Sequence, residues 1–251
     1  MKKNFLIMPI FMALTFFSCK KEGKADLVSK ENKTVLSDKN IPKESSENVE
    51  VITNKKPEDF IPKTFVLFSK IEGDLNNDGL KDCVLIIKGT EKDKIITDES
   101  RGKLDRNRRG IIILFKIKNG DYELITDNNT CFSSENEDGG VYYAPELDVS
   151  VEKNNLYVHY AHGRYGYWTY TFKCKNSDFQ LIGYDSSDNQ GPIVMSETSI
   201  NFLTGKKQFK ENTNPNAESG DEVFKETWTK IKSQKPIFLS GIKNFDDLEF
   251  Y

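Results

Sequence analysis

Nine consecutive residues, Asp74-Leu75-Asn76-Asn77-Asp78-Gly79-Leu80-Lys81-Asp82, place oxygen-bearing side chains at positions 1, 3, 5 and 9 of one loop. Hard cations such as Ca²⁺ take six to eight oxygen ligands at about 2.3–2.6 Å, and an alternating loop curls such groups toward one centre. Gly79 at position 6 supplies the sharp turn, and the main-chain carbonyl of Leu80 completes position 7. An ordinary turn uses one Asn or Asp to satisfy its backbone. Three aspartates packed together repel one another unless something neutralises them. The chemistry expected here is a closed oxygen cage whose stability is coupled to calcium. A second chemical residue is Cys19, which follows Ser18 at the end of the apolar run from Phe5 to Phe17, itself preceded by Lys2 and Lys3. Charged start, apolar middle and small residue are the parts of an export signal. The run contains Pro9 and is well short of the roughly 20 apolar residues that span a bilayer.

Both features resemble known families. The run ending at Ser18-Cys19 resembles the bacterial lipobox, although Phe16 and Phe17 stand where Leu and Ala or Ser are commoner. The resemblance implies cleavage before Cys19, a lipid on that residue, and a chain held at a membrane of the cell envelope. The loop is not an EF-hand, because its twelfth position is Leu85, inside the apolar run CVLII, where an EF-hand carries a Glu. A D-x-N-x-D-G-x-x-D loop leading straight into an apolar strand resembles the calcium loop of FG-GAP or VCBS repeats, the blades of integrin-like propellers. That likeness implies side-chain ligands from Asp74, Asn76, Asp78 and Asp82 and a main-chain ligand from Leu80.

The elements that must position these residues are strands. From Phe60 onward, short runs rich in Ile, Val, Phe and Tyr are broken by Asn, Asp and Gly, which is strand spacing. The pattern predicts strands over 64–72, 83–88, 110–118, 122–126, 156–161, 167–175, 179–184, 199–203, 206–209, 223–231 and 236–239. No segment carries a sustained helical period, apart from a short closing helix expected over 242–250. Asn119-Gly120 predicts a type I′ hairpin turn. Its surroundings, FKIKNGDYELI over 115–125, recur as FKCKNSDFQLI over 172–182 with seven of eleven positions identical. The repeat suggests two copies of one supersecondary unit. A worn second copy of the loop then falls on Ser134-Glu135-Asn136-Glu137-Asp138-Gly139. The fold class expected is all-β, built mainly of antiparallel hairpins, as propeller-like blades or as a β-sandwich. Residues 1–18 read as the signal, 19–58 as a hydrated disordered tether and 59–251 as the folded domain, since 20–58 is too polar to offset its ordering entropy.

Tyr157, Tyr160, Arg164, Tyr165, Tyr167, Trp168 and Tyr170 form the densest aromatic region. Exposed, Arg164, Tyr165, Tyr167 and Trp168 would bind a glycan or peptide by stacking; buried, they would be core. His159 and His162 sit three apart on a strand and point to opposite faces, so they read as structural. Cys83 reads as a buried thiol, and a Cys131–Cys174 bond is open in an oxidising compartment. With 36 Lys+Arg against 39 Asp+Glu, the chain lacks a basic nucleic-acid footprint. The expected object is a lipid-anchored envelope protein with a structural Ca²⁺ loop, a non-enzymatic binding or structural module for a protein or glycan. The alternative is a glycan-active or other hydrolase with acids near Glu135, Glu137, Asp185 or Asp188, which need carboxylates about 5–9 Å apart.

Overall fold

A computed structural model describes residues 52–136, 144–214, 216–232 and 235–250. The chain is all-β and every paired strand is antiparallel. Its strands are β1 (Thr53–Asn54), β2 (Phe65–Gly73), β3 (Asp82–Gly89), β4 (Ile95–Asp98), β5 (Gly102–Asp105), β6 (Arg109–Lys116) and β7 (Tyr122–Phe132) in the first half. The second half contributes β8 (Glu146–Glu152), β9 (Asn155–Ala161), β10 (Gly166–Lys175), β11 (Asp178–Gln190), β12 (Ile193–Asn201), β13 (Lys206–Asn212) and β14 (Phe224–Lys230). One sheet has the order β1-β7-β6-β3-β2, and the other is a seven-stranded meander from β8 to β14. Strands β4 and β5 form a separate hairpin.

Alternation along β3 and β6 explains why both are apolar without interruption. Val84, Ile86, Ile111 and Ile113 face the second sheet, where Val149, Leu156, Val158, Tyr160, Tyr170, Phe172, Phe179 and Leu181 meet them in one core. Cys83, Leu85, Ile87, Ile112 and Leu114 face the other way, under Phe60, Ile61, Phe65, Tyr122 and Leu124. Strands buried on both faces lose the polar half of the usual alternation. Two sheets across one shared core make a layered arrangement, and of the two architectures left open this is the sandwich-like one.

Several sequence expectations change. Thr53–Asn54 pairs with β7, and Pro57–Phe60 forms a 3₁₀ turn with Pro57 buried, so folded structure takes in residues assigned to the tether. Among the polar letters of that stretch Pro57 is buried, and Phe60 and Ile61 just beyond it pack on the outer face of β3 and β6. The closing helix over 242–250 is instead a 3₁₀ turn at Phe245–Asp247, and the strand over 236–239 is a single bridge from Phe238 to Gln180 followed by a turn at Leu239–Gly241. Leu239, Ile242 and Phe245 plug the open end of the shared core. A plug needs apolar residues facing one way for a few residues only, which imitates a helical period.

The Asn119-Gly120 turn also differs. Gly120 alone has positive φ, at 93°, and its N–H donates to the Ile117 carbonyl at 2.9 Å. With Ile117 N–H donating to Asp121 O at 3.0 Å, this is a three-residue loop, a type I turn closed by a left-handed glycine. The two-residue type I′ turn occurs in the second copy, where Asn176 and Ser177 both take left-handed φ of 53° and 60°.

Candidate functional site

The aspartate loop lies between β2 and β3 and folds around its own first residue. Asp74 Oδ1 accepts from the N–H groups of Asn77 (2.7 Å) and Asp78 (3.2 Å), and its Oδ2 accepts from Gly79 N–H at 3.0 Å. Asp78 Oδ1 accepts from Leu80 N–H at 2.7 Å, while Asn76 bonds Asp78 through both backbone and side chain at 3.0 Å. Asn77 at φ 63° and Gly79 at φ 82° give the loop its tight curl. Asn154, in the β8–β9 turn, donates from Nδ2 to the Asp74 carbonyl at 2.8 Å and ties the loop to the second sheet.

Asp82 has a different place. It is fully buried at the start of β3, with Oδ2 accepting from Leu75 N–H at 2.8 Å and Oδ1 from Lys116 N–H at 3.0 Å. Burial pushes its carboxyl above the usual carboxylate range, the two N–H bonds pull it down, and the charges of Asp78 and Asp74 push it up again. Asp82 therefore feels the charges of Asp78 and Asp74, and among the described residues none of the three has a cationic partner. Asp74, Asn76 and Asp78 carry oxygens of the type a hard cation takes; Asp74 Oδ1 already accepts two N–H bonds, while Asp74 Oδ2, Asn76 Oδ1 and both Asp78 oxygens accept one each. By donor type the loop fits Ca²⁺. Asp82 is also a latch between the loop and the end of β6, a role that position 9 of a ligand pattern does not reveal. No group of three or more His, Cys, Asp and Glu side chains is arranged for a metal among the described residues.

The aromatic region is divided by strand alternation. Trp168 turns inward against the core and stacks on Tyr160 at 5.4 Å, while Tyr167 next to it stays 37% exposed on the opposite face of β10. Arg164 and Tyr165 lie in the 3₁₀ turn Gly163–Tyr165, beside a separate cleft with His162 and Glu146. The four residues thus do not make one surface. His159 Nδ1 lies 2.7 Å from Thr169 Oγ1 and its ring tilts onto Tyr167, whereas His162 packs on Tyr165 and Trp168.

No family model, curated protein or solved structure matches this chain. The likeness of the loop to FG-GAP repeats thus rests on the residues of the loop alone. Cys19 lies outside the described residues, as do Glu137, Asp138 and Gly139 of the worn second loop. In that loop Ser134 is buried and Asn136 spends its Nδ2 on the Asp105 carbonyl at 3.0 Å. Glu135 pairs with Lys88 at 3.5 Å in the first half, while Asp185 and Asp188, three apart on β11, point to opposite faces. Asp185 and Asp188 are therefore not a pair facing one cleft. Cys83, Cys131 and Cys174 are free thiols, so the Cys131–Cys174 bond is absent; burial pushes Cys83 up to about 11 and Cys131 up to about 12.

The strands expected over 199–203, 206–209 and 223–231 are present as parts of β12, β13 and β14, but sequence reasoning missed where they lie. β12 to β14 run past the shared core, leaving Phe209, Phe224 and Trp228 exposed, Trp228 at 58%. The exposed aromatics at period 2, Phe224 and Trp228, were the available signal.

Proposed function

We propose that this chain is an exported envelope protein, lipid-anchored through Cys19, whose β domain is a non-enzymatic binding or structural module braced by a Ca²⁺ loop. What carries the binding role is the overhang of β12 to β14. Core packing does not require it, and its aromatic side chains Phe209, Phe224 and Trp228 face water. The anchor is supported by the run from Lys2 to Cys19. The loop reading is supported by the side-chain oxygens of Asp74, Asn76 and Asp78 gathered in one tight loop beside Asp82, whose carboxyl the nearby Asp78 and Asp74 charges help to raise.

The anchor is tested by growing cells with a clickable palmitate analogue: the wild-type chain takes up label and Cys19→Ala does not. An unlabelled wild type ends the lipid reading. Pull-down from solubilised envelopes tests the module, with specific retention of protein or glycan expected. For the loop, millimolar Ca²⁺ raises the melting temperature of the purified chain and Asp78→Ala abolishes the rise. A melt indifferent to Ca²⁺ rejects the site.

A further inference from the structure

We infer that the solvent face of the seven-stranded sheet is an oligosaccharide site, with Tyr167 as stacking platform and Asp185, Ser199 and Gln208 as polar contacts. The inference rests on the binding-module reading above and gives that module its ligand class.

Register places these residues together. Thr169 pairs with Asp185, Asp185 with Ser199, Ser199 with Gln208 and Gln208 with Trp228, so one row crosses five strands. The adjacent row, two residues along, is Tyr167, Ser187, Glu197, Lys210 and Glu226. Side chains separated by two residues share a face, so both rows point to solvent away from the core. Between them lies a cleft of about 280 Å³ lined by Tyr167, Asp185, Glu197, Ser199, Gln208 and Lys210. That is slightly less than an ordinary ligand pocket and suits one ring of a chain that continues across the sheet.

The lining selects the ligand. Glu197 and Lys210 neutralise each other at 2.9 Å. The side chains of Asp185, Ser199 and Gln208 make no hydrogen bond among the described residues, leaving an acceptor, a hydroxyl and an amide ready. A sugar offers hydroxyl pairs for these groups and a C–H face for the Tyr167 ring. The ring packs against His159 at 5.5 Å. An anion would meet Asp185 with the one lysine already paired. An extended peptide would seek unpaired backbone groups, which lie along the edge strands β14 and β8 and not on a face whose ladders are complete. Trp228 stands four strands from Tyr167, about 19 Å at roughly 4.8 Å per strand, and provides a second platform on the same face.

The test is calorimetric titration of the full chain in detergent with β-linked tetrasaccharides of glucose and of N-acetylglucosamine, and with an uncharged blocked tetrapeptide. One of the sugars binds. Tyr167→Ala and Asp185→Ala each weaken it about tenfold or more, Trp228→Ala about threefold, and Tyr167→Phe stays within about twofold. Thr227→Ala, on the opposite face of β14, binds as wild type. Melts matching the wild type show that each variant folds. The inference is overturned if neither sugar binds at millimolar concentration, if the peptide binds in their place, or if Tyr167→Ala binds sugar normally. Retention of envelope material that survives Tyr167→Ala overturns this site and leaves the module reading standing; retention of nothing by the wild type removes both.

Discussion

FKIKNGDYELI and FKCKNSDFQLI share most of their letters, and each makes a hairpin, β6–β7 and β10–β11. Each also has a one-residue bulge at the same place, Ile125 in the first and Ile182 in the second. Their turns differ by one residue. In the first, Lys116 pairs with Tyr122; in the second, Lys173 pairs with Gln180 where the same register would give Phe179. A slip of one residue turns a strand over. Tyr122 and Leu124 consequently face the outer cluster of the first sheet, whereas Phe179 and Leu181 face the shared core. Glycine at position 120 permits the three-residue loop, and serine at position 177 goes with the two-residue one. The copies then meet: Phe115 lies edge-on to Phe179 at 6.3 Å, and Thr126 donates to Asp178 at 3.2 Å. A near-identical text can thus serve two environments because the turn, and not the strand, sets which face is apolar.

The largest way to break this equivalence is in the core. Phe172→Ala removes a fully buried ring and costs about 3–5 kcal/mol, whereas Phe115→Ala, at the matching but half-buried position, costs about 1–2 kcal/mol by urea denaturation. Equal losses would mean that the two copies occupy equivalent sites. The copies are also pinned differently, the first by Asp82 on Lys116 N–H and the second by Ser240, which donates to Asp178 at 2.6 Å. Asp82→Asn replaces an acceptor by a donor opposite a backbone N–H and costs about 1–3 kcal/mol. Because the Asp82 carboxyl is raised in the fold, its titration favours folding below the unfolded-state value and that contribution is lost as pH rises through the folded-state value. The advantage of wild type over Asp82→Asn therefore narrows between pH 4 and pH 7; a widening gap would put the N–H bonds ahead of burial.

Smaller effects come from the turns. Gly120→Ser forces a side chain into left-handed backbone and costs about 1–2 kcal/mol. Ser177→Gly relieves the same conformation in the second copy and stabilises by about 0.5–1 kcal/mol, with amide exchange slowed at Lys175 and Asp178. If Ser177→Gly instead shifts the register to that of the first copy, the fluorescence of Trp168 on the same strand will change.

The strands that were plain in the sequence are those with a simple burial state. CVLIIK and GIIILF are covered on both faces, so they read as unbroken apolar runs. β8, written ELDVSVE, is an edge strand with one inward row, and the outer half of β11, YDSSDNQ, has water on one side and little core on the other. Propensity carries no signal for such pieces, since their neighbours in the sheet hold them extended. The loop was legible as a cluster of oxygen donors but not in its division of labour, because a carboxylate that ligates and one that accepts two N–H bonds are the same letter. The face carrying Tyr167, Asp185 and Gln208 was hidden because its residues come from four strands and adjoin only through register.

The plug formed by Leu239, Ile242 and Phe245 has a consequence in time. Asn128 of β7 donates from Nδ2 to the carbonyls of Leu239 and Ile242, the first of them 111 residues further along the chain, and Phe132 stacks on Phe245 at 5.0 Å. Whether the chain leaves a ribosome or threads a membrane pore amino end first, both sheets emerge before the segment that seals them. Until then the core stays wet at one end, and the nascent chain remains pliable enough to be moved, held by a chaperone or degraded. Arrival of residues 236–250 is the event that commits it.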